Sequence, residues 1–267
     1  MRIDCKYIII HTSGNKYFDN LVLFVKECFD TEEYKDSVII IDGILWKTES
    51  HFRQLYPNKK IILYNWEQMV SNNTYFNMEK MIESAKWVDE VWDYDYLNKE
   101  FFSWYKINVD KVIPIRYTES IKCIENKPTP TIDIILFGYM NDVRLNKLKK
   151  VFPSLYHDYS FMIISGMDRQ AQKEYISNSK IVLNLHGIEP YCRQEQERVA
   201  FSLINEKCVL SETSQINYFG GAIVEEKLED ISSTIKHLLK DDLWREVAIQ
   251  GNKMFKEGNC NIIRNEI

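Results

Sequence analysis

The chain has 267 residues, 45% of them hydrophobic and 27% charged, with a formal net charge of −5. That length admits one large domain or two of ordinary size, and the apolar share is enough for a real core, which excludes a disordered chain. The mild acidity excludes a general nucleic-acid binder and confines any basic site to a local patch. The six cysteines (Cys5, Cys28, Cys123, Cys192, Cys208 and Cys260) form no Cys-x-x-Cys pair and fit no zinc spacing, so they are expected to be scattered reduced thiols. The chain begins with a charged stretch and then an apolar strand, without the apolar region and cleavage site of a signal peptide. No apolar run reaches the ~18 residues that span a membrane. A soluble, cytoplasmic protein is expected, with peripheral membrane contact left open.

In chain order, short β-branched runs alternate with amphipathic stretches. Strands are predicted at Tyr7–His11, Val38–Asp42, Ile61–Tyr64, Glu90–Asp93 and Val112–Ile115. Helices are predicted near Phe18–Phe29, Asn77–Trp87 and Tyr96–Ile107. In the first of these, Leu21, Val25 and Cys28 recur at helical spacing. Residues Tyr117–Thr131, polar and carrying Pro128 and Pro130, predict a linker. The alternation resumes with a strand at Asp133–Phe137, a helix near Asn141–Phe152, a strand at Phe161–Ser165 and a helix at Arg169–Ser177. It continues with a strand at Ile181–Leu185, a helix at Gln194–Ile204, a strand at Cys208–Ser211 and a short strand at Ala222–Val224. Helices at Leu228–Leu239 and Asp241–Glu257 close the chain. Strands separated by helices of this length imply βαβ units and parallel sheets. The expected fold is α/β, with two Rossmann-like halves facing across a cleft and the closing helices packing back toward the first. Its parts are residues 1–120, 131–240 and a helix and tail at 241–267.

The segment Ser179–Glu212 is the richest in chemistry. It reads as a buried strand, a polar loop, a helix and a second buried strand, with His186, Glu189, Arg193, Glu195, Glu197 and Arg198 between the two strands. Charges there imply a site at the carboxyl edge of a parallel sheet, where open α/β folds bind ligands. Glu195 and Arg198 stand at i,i+3 and share a helix face. They read either as an exposed ion pair or as a carboxylate for ribose hydroxyls beside a cation for phosphate. His186 and Gly187 end a strand, where the glycine allows close approach. Asp93-Tyr94-Asp95 has the spacing of a metal-binding Asp-x-Asp, but paired aspartates after a strand are common in turns, and no metal is expected. Trp87, Trp92, Phe101, Phe102, Trp104 and Tyr105 are expected mostly to fill core. No P-loop, Gly-x-Gly-x-x-Gly or Gly-x-Ser-x-Gly motif is present, which argues against a P-loop NTPase, a dinucleotide oxidoreductase and an α/β-hydrolase.

Several segments resemble the GT-B glycosyltransferases, in particular their group-1-type and CgeB-like members. VDEVWDYDYLNKEFFSWYKINVDKVIPIRY (88–117) and ILYNWEQM (62–69) resemble first-half segments of those enzymes. DIILFGYMNDVRLNKL (133–148), KIVLNLHG (180–187) and EQERVAFSLINEKCVLSE (195–212) resemble second-half segments, in order. The resemblance covers most of residues 60–257 and implies transfer of a sugar from a nucleotide-diphosphate-sugar donor to a hydroxyl of a glycan or glycoconjugate, with no metal or other cofactor. It implies donor contacts at Gly138, Arg144, His186, Gly187, Glu195 and Arg198, with Ser211 and Glu212 beside them. Gly138 would let the chain turn next to the diphosphate, and Arg144 would neutralise it. The first half would hold the acceptor, with His11 and the Thr12–Asn15 loop, Glu67 and Asp93 as candidates for a base. The chain departs from the Glu-x7-Glu motif of common retaining members: the second glutamate's position falls near Phe201, with Glu195 and Glu197 a turn or more earlier. Which carboxylate takes the ribose therefore stays open. Two other readings fit the same architecture, a nucleotide-sugar epimerase and a non-catalytic carbohydrate- or nucleotide-binding protein.

Overall fold

In the computed structural model, residues 1–12, 14, 19–41, 49–70, 78–166, 169–190 and 192–264 are described. The chain forms two compact units, residues 1–120 and 121–267. The first contains β1 (Arg2–Asp4), β2 (Ile9–His11), α1 (Asp19–Phe29), β3 (Ser37–Ile40), α2 (Glu49–Leu55), β4 (Lys60–Asn65), α3 (Met78–Ala85), β5 (Glu90–Asp93), α4 (Tyr96–Trp104) and β6 (Lys111–Val112). Its six strands lie in sequence order. β1 runs antiparallel to β2 and every other pair is parallel. Ile9, Val38, Ile40, Ile61, Leu63 and Val91 pack with Phe52, Met81, Ile82 and Phe102 from α2, α3 and α4. Alternate positions, Tyr64 and Trp92 among them, meet Phe29 of α1. Both faces are covered, so the strands read as continuous apolar runs rather than alternating ones.

The sequence missed β1 and α2. β1 is short and charged, and it forms by edge pairing to β2 rather than by burying a face. α2 spans only seven residues and buries only Phe52. β6 stops at Val112, short of the predicted Ile115, because Pro114 has no N–H to continue the ladder. Trp92 and Phe102 are core residues as expected, but Trp104 and Tyr105 are exposed at the end of α4, at 76% and 44%.

The second unit contains β7 (Ile132–Phe137), α5 (Asp142–Val151), β8 (Phe161–Ile164), α6 (Arg169–Ser177), β9 (Ser179–Asn184), α7 (Gln196–Ile204), β10 (Cys208–Glu212), β11 (Ile216–Asn217), β12 (Val224–Glu226), α8 (Ile231–Leu239), α9 (Leu243–Lys256) and β13 (Ile263–Arg264). Five strands form a parallel sheet in the order β12-β10-β9-β7-β8. From β7 the chain moves to one side to make β8, then returns across to make β9. The strand order therefore reverses between β7 and β9, and an open α/β sheet offers its binding crevice at the carboxyl ends of such a pair. Leu148 and Val151 of α5, Ile231, Ile235 and Leu238 of α8, and Trp244 and Ala248 of α9 share a core with Ile134, Leu136, Ile181, Leu183 and Leu210 of the sheet. The predicted linker is ordered at its second-unit end. Asn205, buried after α7, accepts from the Cys123 and Ile124 N–H groups at 2.8 and 2.9 Å, and its carbonyl accepts from Asn126. No helix among the described residues is long and apolar enough to cross a membrane.

Candidate functional site

Two strands and two helix starts build the site in the second unit. β7 ends at Phe137, and Gly138 turns the chain with φ +117°. Asn141 then caps α5, accepting from the Arg144 N–H at 3.0 Å and donating to the Gly187 carbonyl. β9 ends at Asn184, and Leu185, His186 and Gly187 lead into the loop before α7, whose N-cap residue is Glu195. α5 and α7 both begin at the carboxyl edge of the sheet, so their positive ends favour an anion there.

Arg144 is buried and turned into this framework. Its Nε donates to the Leu185 carbonyl at 2.9 Å, one Nη to the Tyr139 carbonyl and the other to Glu195 Oε1. Glu195 also faces His186 Nδ1 through Oε2 at 3.2 Å and accepts from the Gly187 N–H at 3.3 Å. Burial alone would raise the Glu195 pKa, but the charge of Arg144 and the His186 hydrogen bond outweigh it and hold the carboxylate well below its usual range. Lys147, one turn beyond Arg144, is 3% exposed and donates to both oxygens of Glu212 at 2.7 and 2.9 Å, with Glu189 at 3.2 Å. The second oxygen of Glu212 also accepts from the His186 N–H at 3.0 Å.

Arg198 packs against Gly138. Its Nη1 donates to Asn184 Oδ1 at 2.9 Å, Asn184 donates to Ser211 Oγ at 3.0 Å, and Ser211 donates to the Glu212 carbonyl. Among the described residues, Nη1 is the one Arg198 nitrogen in a hydrogen bond. Nε and Nη2 lie against Gly138, where an added Cβ would overlap Nη2 and stand 3.1 Å from Cζ. At Gly187 an added Cβ would stand 2.8 Å from Cζ of Arg144. Each glycine thus makes room for a guanidinium. Burial, and then the like charge of Arg144, pull Arg198 down to about 10, so it remains a cation at neutral pH.

Gly138, Arg144, His186, Gly187, Glu195, Arg198, Ser211 and Glu212 therefore converge at the strand-order reversal. Lys147 and Asn184 belong to the same cluster and were not singled out from the sequence. For Lys147 the available signal was its i+3 spacing from Arg144, and for Asn184 its place at the end of a buried strand. His11 and Glu67 lie in the first unit, at the carboxyl ends of β2 and β4 with β3 between those strands. His11 Nε2 is 2.6 Å from the Tyr56 hydroxyl, and its ring meets Phe52 and Tyr56 edge-on. Ser13 and Asn15 of the loop after His11 lie outside the described residues. Through their main chain, Glu67 N donates to Asn65 Oδ1 and the Glu67 carbonyl accepts from Asn65 and Asn98. Asp93 is fully buried and accepts from Asn65, the Asp95 N–H and Asn98. Burial pushes its pKa well above the usual carboxylate value. Asp95 caps α4 through the Leu97 N–H at 2.8 Å. Among the described residues, no group of three His, Cys, Asp or Glu side chains is placed to hold a metal ion.

No protein-family model matches the chain, and no curated protein matches it. Solved structures do. TarM superposes with a TM-score of 0.55 at 15% identity over 90% of this chain. An alpha-glucosyltransferase in complex with UDP and a 13-mer DNA containing a HMU base gives 0.56 at 11% identity, covering 92% of this chain and 81% of that one. The Gap123 complex from Streptococcus agalactiae gives 0.52 at 10% identity over 85% of this chain. This chain spans 54% of the length of TarM and 54% of the Gap123 chain. These likenesses establish the fold: the chain has the GT-B architecture of two Rossmann-like units, as the sequence resemblance implied.

Proposed function

We propose that the chain is a glycosyltransferase that moves a sugar from a nucleotide-diphosphate-sugar donor to a hydroxyl of a glycan or glycoconjugate, without a metal. One observation carries the reading: Arg198 presents Nε and Nη2 beside Gly138 at the strand-order reversal, next to the starts of α5 and α7. A guanidinium beside two helix starts suits the diphosphate, on which negative charge grows as the sugar leaves. Arg144 and Lys147, whose hydrogen bonds go to protein groups, would hold Glu195 and Glu212 in place rather than grip phosphate. The first unit, with His11 and Glu67, would take the acceptor. Relatives in fold support the class: a mutant of S. aureus TarM has been captured with Fondaparinux, alpha-GlcNAc-glycerol and UDP, and the alpha-glucosyltransferase with UDP and DNA. A net charge of −5 disfavours a polyanionic acceptor here.

The test is calorimetric titration with UDP, GDP, dTDP and ADP, each with and without EDTA. One nucleotide is expected to bind selectively and independently of EDTA, with affinity lost in Arg198→Ala while the far-ultraviolet circular dichroism stays unchanged. Binding equal to wild type in that variant would sink the assignment. A second reading, a nucleotide-binding protein without turnover, is favoured by the engagement of both Glu195 and Glu212 with buried cations, which leaves neither carboxylate uncommitted for the ribose. Sugar release from the bound donor, with acceptor or water, would exclude it.

A further inference from the structure

His186 is 1% exposed, and every group it meets through its ring nitrogens is fixed by the fold. Nδ1 faces Glu195 Oε2 at 3.2 Å. Nε2 lies 3.0 Å from the Glu212 carbonyl, 3.2 Å from the Thr213 carbonyl and 3.3 Å from Ser214 Oγ. A backbone carbonyl can only accept, and both carbonyls lie closer to Nε2 than the Ser214 hydroxyl, which can donate or accept, so the surroundings favour Nε2–H. Glu195 is an ionised carboxylate paired with Arg144, so it too can only accept, and Nδ1 must also carry a proton. Neutral imidazole has one N–H, so neither tautomer serves Glu195 and the two carbonyls together: Nδ1–H to Glu195 with Nε2 accepting from Ser214 Oγ would set a bare lone pair against two carbonyl oxygens at 3.0 and 3.2 Å.

We propose that His186 is a standing imidazolium: a fixed buried cation that ties the Glu195 arm of the site to the Glu212–Ser214 arm and adds positive charge to the diphosphate pocket, acting neither as a base nor as a sugar contact. It is a positioning residue, and its role in the pocket rests on the donor reading above. The charged groups around it come from three elements: Glu195 from the start of α7, Glu212 from the end of β10, and Lys147 from α5, with Arg144 of α5 behind Glu195. Burial opposes the imidazolium, but the hydrogen bond and charge of Glu195 and the charge of Glu212 outweigh it and raise the pKa above the ordinary 6.5. With His186 protonated, it joins the buried cations Arg144, Lys147 and Arg198 around the carboxylates of Glu195 and Glu212.

Two measurements on the full chain test this. The first is the nitrogen chemical shifts of 15N-histidine-labelled protein across pH 6 to 9, with the His186 signals assigned by their loss in His186→Gln. Both His186 nitrogens are expected in the protonated range at pH 7. A neutral His186 at pH 7 would overturn the proposal. If His186→Gln does not fold, Glu195→Gln provides the assignment, because the His186 titration should then move down by about one pH unit or more. The second is calorimetric titration with UDP-glucose, GDP-mannose and ADP-glucose, whose diphosphate diesters do not titrate in this range. For whichever binds, affinity should fall as pH rises through the His186 titration. In His186→Gln it should be lower by about tenfold at pH 6.5 and flat across that range. The same pH slope in wild type and variant would overturn the electrostatic role. Binding of none of the three sugars would refute the donor reading, while the nitrogen shifts would still decide the charge of His186.

Discussion

Single atoms at two glycines carry much of the site. Gly138 combines a positive φ with a guanidinium lying where a Cβ would go, so a substitution there has two separate costs. Gly138→Ala is expected to destabilise the protein by about 1–3 kcal/mol through backbone strain and to push Arg198 out of position. Urea unfolding and nucleotide titration should both register it, with stability and affinity falling together. Gly166 has φ +69° and no heavy atom within 4 Å of an added Cβ, so Gly166→Ala should show only the conformational cost and leave binding intact. Equal binding losses in the two variants would show that strain alone, not the displaced guanidinium, matters at Gly138. The sequence marked Gly138 as a turn beside a ligand, but it could not say which arginine the glycine accommodates. Sequence reading paired Gly138 with Arg144, six positions on, whereas packing places Arg198 against it and Arg144 against Gly187.

At the level of elements, helix starts and strand ends divide their duties. Asn141 caps α5 and also holds the Gly187 carbonyl, so Asn141→Ala should cost about 1 kcal/mol and weaken nucleotide binding. Asp95 caps α4 of the first unit, and Asp95→Ala should have a similar stability cost with no effect on nucleotide affinity. Chemical denaturation with parallel titrations separates the two; a loss of affinity in Asp95→Ala would refute the assignment of donor binding to the second unit. At the opposite edge of the second sheet, Lys207 leads into β10, and its Nζ donates to the Ser177 carbonyl at the end of α6 and the Ser179 carbonyl at the start of β9. Burial lowers its pKa from 10.5 to about 7. Between those values the unfolded chain binds the proton and the folded chain does not, so this residue makes stability rise with pH from about 7 to 10.5 and contributes no slope below 7. Denaturation midpoints across pH 7 to 10 should rise less in Lys207→Met than in wild type, and an unchanged slope would refute a buried neutral amine.

For the molecule as a whole, two compact units with separate sheets and separate cores predict two unfolding transitions in scanning calorimetry. The nucleotide should raise one of them, because binding to one folded unit stabilises that unit by mass action, by about 2.7 kcal/mol at a hundredfold excess over Kd. Limited proteolysis of the heated protein should then identify the stabilised unit as residues 121–267. Equal shifts in both transitions would place nucleotide contacts in both units.

The sequence by itself determined the order of strands and helices from β7 to β10 of the second unit, because β-branched runs such as Ile181–Leu185 and capped amphipathic stretches such as that after Asn141 are local signals with strong periodicity; it missed the two-residue strands β11 and β13, which pair only with each other, and placed β12 two residues early. It also determined that charge collects after β7 and β9. It was weaker in the first unit, where β1 and α2 form by edge pairing and by packing of a single Phe52 rather than by a repeating pattern. Which charges pair was decided only by tertiary structure. Arg144 and Glu195 are 51 positions apart, and Lys147 and Glu212 are 65 apart. They meet because the sheet places β7 beside β9, and β9 beside β10, bringing their carboxyl ends together. The protonation of His186 has the same origin, since it follows from two carbonyls and a carboxylate that strand adjacency brings to one ring.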